Sequence, residues 1–551
     1  MTVSMWIEMK SICLRLFYFC LIVLGGCSGG ETVVDRANRE NILIIGNASD
    51  PQSIDPHILT GHNGGVVVNT ILEGLIAYHP TDDTLPEPGV AESWESFDNH
   101  SRWVFQLRKN ARWSNGDSVT AHDFVFAFRR MLTPELAAQY AELLYIFENA
   151  EAYNRGELDS FDKVGVKAID DYTLECRLIG PTPYFLLMLK HTAFSPVHPP
   201  TILKHGKISD RFSGWTKAGN YVGNGPFVLE DWKLNRWIKV RKNPHYWDHE
   251  KVRLDGIRIL PIKEQNTEER AYRAGQMHRL YELHLEKIPK YANSGDPEYY
   301  NDPFFTSYFY RINTTHDGLK DKRVRQALSL AIDRKLIVEN VMRAGQKPAY
   351  RLTPDGVSGY NAALVLKYDP DEARRLLAAA GYPNGEGFPE FDILYNTLES
   401  HQKIAETIQQ MWKTELNINV GLKNQEWKVY LDTVVNMQHD ISRAGWIGDY
   451  LDPITFLDLF RSTNPNNNTG WANESYDRLI KESMQVENME EHFRILEKAE
   501  ALLMEEVPII PIYWYTRNYL MRPEVKGWPP KLLDYQNMKY VWLDVDSGET
   551  P

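Results

Sequence analysis

The sequence predicts an α/β protein of at least two lobes, and three observations carry that expectation. At 551 residues the chain is longer than one hydrophobic core supports. Runs patterned as strands, 391–395 and 418–422 among them, alternate with capped helical patterns, which is the α/β arrangement. The third observation is a pair of stretches, Gln425-Glu426-Trp427 and 443–453 (RAGWIGDYLDP), separated by a segment that reads as a helix and then a short strand. That spacing lets both stretches face one cavity. Two indoles, a guanidinium and a carboxylate are poorly equipped to break bonds. They suit an extended zwitterion, with a carboxylate for its ammonium, a cation for its carboxylate and aromatic walls between.

Composition and the amino terminus narrow the class. Hydrophobic residues make up 43% and charged residues 25%, ordinary for a soluble globular protein. A net charge of −13, from 61 basic and 74 acidic residues, opposes binding to a phosphate backbone, so no nucleic-acid partner is expected. Lys10 and Arg15 precede the apolar run 16–24, and Gly25, Gly26 and Cys27 follow it, the layout of a secretory signal. Roughly 20 apolar residues are needed to span a bilayer, so this run is too short for a stable anchor. Leu24-Gly25-Gly26-Cys27 is similar to the bacterial lipobox, whose cysteine becomes the lipidated first residue. The likeness implies a lipoprotein signal peptide over 1–27, lipid on Cys27, and a periplasmic or cell-surface protein anchored to a bacterial membrane. Glu8 is out of place in such a signal, and Met9, directly before Lys10, is an alternative start. With Cys13 and Cys20 in the signal and Cys27 lipidated, Cys176 remains alone and no internal disulfide is expected. The later apolar stretch 507–515 is broken by Pro508 and Pro511.

Taken in order, the elements begin with a polar linker over 28–40, a buried strand over 41–45 and a two-proline loop at 50–56. A helix is expected over 66–76, ending near the punctuation of 80–88. The run 103–108 alternates as a strand, and Asn115-Gly116 marks a tight turn. Thr120 is an N-cap with Asp123 at the third helical position, and Phe124, Ala127 and Phe128 share one face. Asp321 starts another helix, with Val324, Leu328 and Ala331 inward. Asp369 caps a third, with Pro370 at its first position, Leu376 and Leu377 on its apolar face and Gly381 closing it. Residues 464–468 read as a polar loop.

Four passages now carry a resemblance: 91–117 (AESW through NARWSNGD), 164–171, Gly223-Asn224-Gly225-Pro226-Phe227 and Asn243-Pro244-His245-Tyr246-Trp247. They resemble the family-5 extracellular solute-binding proteins, the peptide and nickel receptors of bacterial import systems, across essentially the whole mature chain. The resemblance implies a two-lobed periplasmic-binding-protein fold with mixed sheets, a hinge and an additional inserted lobe. It places the first lobe at 28–72, 197–305 and 516–551, the inserted lobe at 73–196 and the ligand-gripping lobe at 306–515, with ligand trapped as the hinge closes. Asn424-Gln425-Glu426-Trp427 and Arg443-Ala444-Gly445-Trp446 stand closest to the oligopeptide receptors. That likeness implies that Asp449 holds a peptide amino terminus and that Gly445 and Trp446 offer backbone to the peptide as to an added strand. It implies that Trp427, Trp446 and Tyr515 line side-chain pockets, and that His401 with Arg443 receives a tri- or tetrapeptide carboxylate. Tyr140 and Asn466 are weaker carry-overs, and Thr60 stands where an acidic residue is often found. Val434 replaces a second arginine expected seven positions after Trp427, which weakens dipeptide capture. Gly275-Gln276-Met277-His278 departs from a common Gly-Glu-Ile-Asp step, and Thr306 and Ile447 occupy the positions of a disulfide in enteric receptors.

Each feature also has a plainer reading. Asp449 could cap a Gly-Asp turn, Arg443 could sit in a structural ion pair, Trp427 and Trp446 could be core aromatics, and His401 could be solvated or capping. The spacings of His57 with His62 and of His245 with His249 complete no metal set. There is no Gly-x-Ser-x-Gly elbow, and Gly223-Asn224-Gly225 lacks the third glycine of a dinucleotide loop. Asp82-Asp83 and Asp170-Asp171 read as solvated turn carboxylates. The expectation is a monomeric, non-enzymatic receptor without metal or cofactor. It would capture peptides of about three to five residues by strand addition and deliver them to the permease and ATPase subunits of an ABC importer. The alternatives are a receptor of this fold for a muropeptide, dipeptide or metal chelate, a peptide sensor, or a peptidase.

Overall fold

The computed structural model describes residues 31–545, so the signal segment and Cys27 lie outside the described residues. Three sheets organise the chain. The first is a mixed four-stranded sheet in the order Ile42–Gly46, Gly256–Leu260, Trp237–Lys242, Phe227–Lys233. Only its first pair is parallel. Ile42–Gly46 is a continuous apolar run because four of its five residues are buried, as expected of a strand covered on both faces.

The second sheet is antiparallel, in the order Ala91–Phe97, Arg102–Leu107, Thr173–Arg177, Val166–Asp170. Its inner residues Trp103, Phe105 and Leu107 alternate and are buried. Helix Ala121–Leu132 starts at the expected capping box of Thr120 and Asp123 and buries Phe124, Ala127 and Phe128. Its Arg130 is fully buried and held by the equally buried Asp55, both guanidinium Nη groups donating to that carboxylate at 2.9 and 2.6 Å.

The third sheet runs Lys347–Pro348, Ile509–Leu520, Tyr299–Ile312, Ile441–Ile447, Asp392–Asn396, Gly421–Gln425. Its two longest strands, Tyr299–Ile312 and Ile509–Leu520, pair along their lengths, and the register shifts between Pro303 and Ser307. Proline contributes no ladder donor, so a break there is unsurprising. Both junctions expected for the gripping lobe, 305/306 and 515/516, fall within these strands. The expected caps at Asp321 and Asp369 are present, each side chain accepting from a first-turn N–H. Thr306 and Ile447 face each other across neighbouring strands.

Four local expectations are corrected. The segment expected as a linker over 28–40 contains helix Val33–Arg39, which carries a capping box of Thr32 and Asp35 and buries Val34 and Ala37. The expected helix over 66–76 is instead His62–Ile71, followed by strand Ile76–Tyr78, with Gly74 in the connection. The strand expected over 418–422 forms at Gly421–Gln425, where it pairs in parallel with Asp392–Asn396, while Ile418 and Val420 serve the core on the way in. Asp83 is not a solvated turn residue: it is buried, with its carboxylate 3.3 Å from Lys531 Nζ, so a distant cation neutralises it.

Candidate functional site

Strand Ile441–Ile447 has two unlike edges. One pairs antiparallel with Tyr299–Ile312 along its whole length, from Ile441 opposite Ile312 to Ile447 opposite Thr306. The other is covered by Asp392–Asn396 only at Ile441 and Ser442. From Arg443 onward no described strand takes that edge, and the Tyr430 hydroxyl donates to the Arg443 carbonyl where the cover ends. An unpaired edge inside a sheet is a template for another chain. Gly445 lies in the middle of it. A Cβ there would stand 3.4 Å from the Ser307 carbonyl and 3.5 Å from Arg443 Nη2, in ordinary van der Waals contact with both.

Asp449 follows the open edge at its carboxyl end. Its N–H donates to Thr455 Oγ1 at 3.1 Å. Burial pushes its carboxyl up to about 7, the Glu142 charge adds to the rise, and hydrogen bonds with Thr455 and Tyr140 oppose it. No cation acts on it within the described residues, which is an expensive state for a carboxylate. Tyr140 therefore does meet Asp449, although the two are 309 positions apart in the chain; its ring also packs edge-on against His191 at 4.9 Å.

Arg443 marks the other end. Its Nη2 donates to the Tyr515 hydroxyl at 3.1 Å, and its guanidinium lies 4.8 Å from the Tyr308 ring centre. Burial works against its charge, yet the surrounding tyrosines, Tyr515 and Tyr308 foremost, hold its pKa above the ordinary arginine value. Its Nε is buried without a partner. His401 is buried at 4% exposure rather than solvated, third in helix Glu399–Leu416, with Nδ1 3.3 Å from the Tyr308 hydroxyl. Burial, helped by Arg443, pushes its pKa down to about 3, so it is neutral at physiological pH. Arg443 and His401 thus meet through Tyr308 as one cation and one neutral donor. A cavity of about 250 Å³ opens beside them, lined by His401, Tyr515, Thr516, Glu282 and Glu399.

The remaining expected residues divide. Trp427 is 50% exposed, the first residue of helix Trp427–Val435, and stacks on Tyr430 at 5.7 Å, so it is not a core aromatic. Trp446 is partly buried and its indole N–H has no partner. Thr60 is exposed in a separate hollow beside Asp50 and Lys263. Asn466 hydrogen-bonds within its own loop, to Asn464 and Asn468. Neither is brought to Asp449 or Arg443 by any hydrogen bond in the structure. Val434 packs with Tyr430 and Leu394 in a small apolar cluster.

Residues missed in the sequence are Tyr308, Tyr430, Glu142 and Tyr535, the last of which also senses the Asp449 charge. The spacing of Tyr308 with Tyr310 and Tyr513 with Tyr515 was a readable signal, since residues two apart share a strand face. Glu142 carried none beyond its nearness to Tyr140. Among the described residues no group of three His, Cys, Asp or Glu is placed to hold a metal.

Two mixed sheets and an inserted antiparallel one, matching solved receptor structures, make this a two-lobed α/β periplasmic-binding-protein fold with an extra inserted lobe. The model of the bacterial extracellular solute-binding proteins, family 5 Middle, matches residues 86–468, and the chain belongs to that family. It is similar to the periplasmic oligopeptide-binding protein OppA of Salmonella typhimurium, 37% identical over 509 residues covering 90% of this chain and 91% of the relative. It is 35% identical to the periplasmic murein peptide-binding protein MppA of Escherichia coli, over 89% of this chain and 91% of the relative. The solved structure of the Escherichia coli murein tripeptide binding protein MppA superposes with a TM-score of 0.78 at 34% identity, covering 91% of this chain and 98% of that one.

Proposed function

We propose that this chain binds extended oligopeptides between its two gripping lobes and, as the periplasmic receptor of an ABC peptide importer, hands them to permease and ATPase subunits. One observation carries the reading: an open strand edge has an unpaired carboxyl beyond one end and an unpaired guanidinium at the other. Six positions separate Arg443 from Asp449, at most about 20 Å of strand, within which a peptide of about three to five residues fits. Backbone pairing along the edge is the same for every sequence, so it supplies affinity without choosing side chains. Asp449 takes the ammonium, Arg443 with neutral His401 takes the carboxylate, and Trp427, Trp446, Tyr515 and Tyr140 form the walls. The gripping lobe is 306–515, opposed by 28–72, 197–305 and 516–551, with 73–196 inserted. The receptor works as a monomer, performs no chemistry and reaches the membrane through lipid on Cys27. The kinship to oligopeptide- and murein-peptide-binding relatives supports this reading. The second of them also favours a narrower one, a cell-wall peptide as the ligand.

Native mass spectrometry of protein extracted from membranes in mild detergent tests both parts. Expected are a chain beginning at Cys27 with added diacylglyceryl mass, and a ladder of co-purifying masses from peptides of about three to five residues. A mature chain beginning elsewhere removes the anchor. A single non-peptide mass removes the peptide reading.

A further inference from the structure

The two arginines with no exposure, Arg334 and Arg130, are spent on hydrogen bonds. Arg334 donates to the Pro511, Ser329, Ile332 and Leu366 carbonyls and to the Ser329 hydroxyl. Arg130 is bidentate on Asp55. Arg311 differs from them in a way it shares with Arg258 of the first sheet, but Arg311 stands on the strand beside the open edge. It is partly buried on strand Tyr299–Ile312, its Nε has no partner, and among the described residues it makes no side-chain hydrogen bond and no ion pair. Its nearest aromatic face is Phe309, at 5.5 Å. No described carboxylate forms an ion pair with this guanidinium. Leaving a desolvated cation unpaired is costly, and such groups persist where a ligand supplies the missing charge.

Sheet register says where Arg311 stands. Arg311 is opposite Ser442, and Arg443 is opposite Tyr310. Directly paired residues share a face and successive residues alternate, so Arg311 and Arg443 leave the sheet on opposite faces. The same alternation puts Arg311 on the face of Trp446, which is opposite Ser307. Both arginines act on Tyr430, whose hydroxyl caps the Arg443 carbonyl where the open edge begins. Among the described residues no carboxylate forms an ion pair with either arginine, and the nearby Asp440 faces other partners. His439 is driven neutral, to about 4, by burial and by Arg311 itself, and the Asp440 carboxylate accepts from the Asp392 N–H at 2.9 Å. The family resemblance places a second arginine at 434, but Val434 is packed on Tyr430. Arg311 acts on that same tyrosine from strand Tyr299–Ile312, whereas position 434 lies in helix Trp427–Val435.

We propose that Arg311 is a second anion-binding residue of the cleft, taking an acidic side chain on the carboxy-terminal residue of the bound peptide while Arg443 takes the terminal carboxylate. The inference rests on the peptide-receptor reading and adds a preference to it. One guanidinium on each face of the strand end suits a residue that presents two carboxylates, and each contact is a charge-assisted hydrogen bond in a partly dry site.

Calorimetric titration of ligand-stripped protein with Ala-Ala-Glu and Ala-Ala-Gln tests it, using the natural chain, Arg311→Gln and the charge-keeping Arg311→Lys. The natural chain should bind Ala-Ala-Glu about tenfold or more tighter than Ala-Ala-Gln. Arg311→Gln should bring the two within about twofold while keeping its affinity for Ala-Ala-Gln, and Arg311→Lys should keep part of the preference. Equal affinities in the natural chain, or a preference that survives Arg311→Gln, overturn the role of Arg311 and leave the receptor reading standing. Binding of neither peptide overturns both.

Discussion

Asp449→Ala lowers affinity for tripeptides with a free amino terminus by about two orders of magnitude, because removing one partner of a desolvated charge pair costs about 2–5 kcal/mol. Amino-acetylated versions of the same peptides, which carry no ammonium, lose far less. The pH dependence has a definite sign. With the Asp449 carboxyl pushed up to about 7 by burial, ammonium binding below that pH must first expel a proton. Affinity therefore falls as pH drops through about 7, steepening toward tenfold per unit, and falls again above about 8 as the peptide amine deprotonates. The stability of the empty protein runs the other way. A carboxyl whose pKa is raised by folding favours the fold while protonated, so this contribution is present at low pH and is lost between the ordinary Asp value and about 7. Peptide titrations across pH 5.5 to 8.5 in the natural chain and Asp449→Ala check all of this. Equal losses for free and acetylated peptides, or a low-pH fall that survives the substitution, remove Asp449 from the amine site and leave it as a turn residue bonded to Thr455.

Arg443→Met separates a ligand role from a structural one. If Arg443 awaits a ligand carboxylate, the variant binds free-acid tripeptides about ten- to a hundredfold more weakly, and binds carboxamide peptides about as the natural chain does. The empty fold should lose little, because Arg443 donates to the Tyr515 hydroxyl and pairs with no carboxylate among the described residues. Removing an unpaired buried cation is neutral or stabilising, whereas removing a structural partner costs about 3–5 kcal/mol. Arg130→Met supplies the comparison, since its Asp55 partner would be left buried without its cation. A melting-temperature drop in Arg443→Met comparable to that in Arg130→Met would make Arg443 structural.

What was legible in the sequence was mostly local. The capping boxes and N-caps at Thr120, Asp321 and Asp369 involve residues three or fewer positions apart, and each was readable. The same signal stood at Thr32 and Asp35, but the short polar helix behind it had too little apolar patterning to be seen. The strand displaced from 418–422 to 421–425 shows the limit of pattern reading, because register is chosen by the partner strand. Long-range chemistry was less visible still. Nothing near Asp83 announces Lys531, and nothing near Tyr308 announces His401. Of the candidate site, Asp449, Arg443 and Gly445 were singled out because the family resemblance supplied letters, and the structure sets them along or just beyond one strand. The open edge itself depends on where Asp392–Asn396 stops covering its neighbour, and that is a property of the fold alone.

Amide hydrogen exchange on the empty and trialanine-saturated protein shows whether a bound peptide adds as a strand. If the peptide adds as a strand, amides within 443–447 slow on binding, together with the segments holding Asp449 and His401, and the covered positions 441 and 442 change little. Saturation measured by calorimetry with no added protection anywhere in 443–447 would rule out strand addition at this edge.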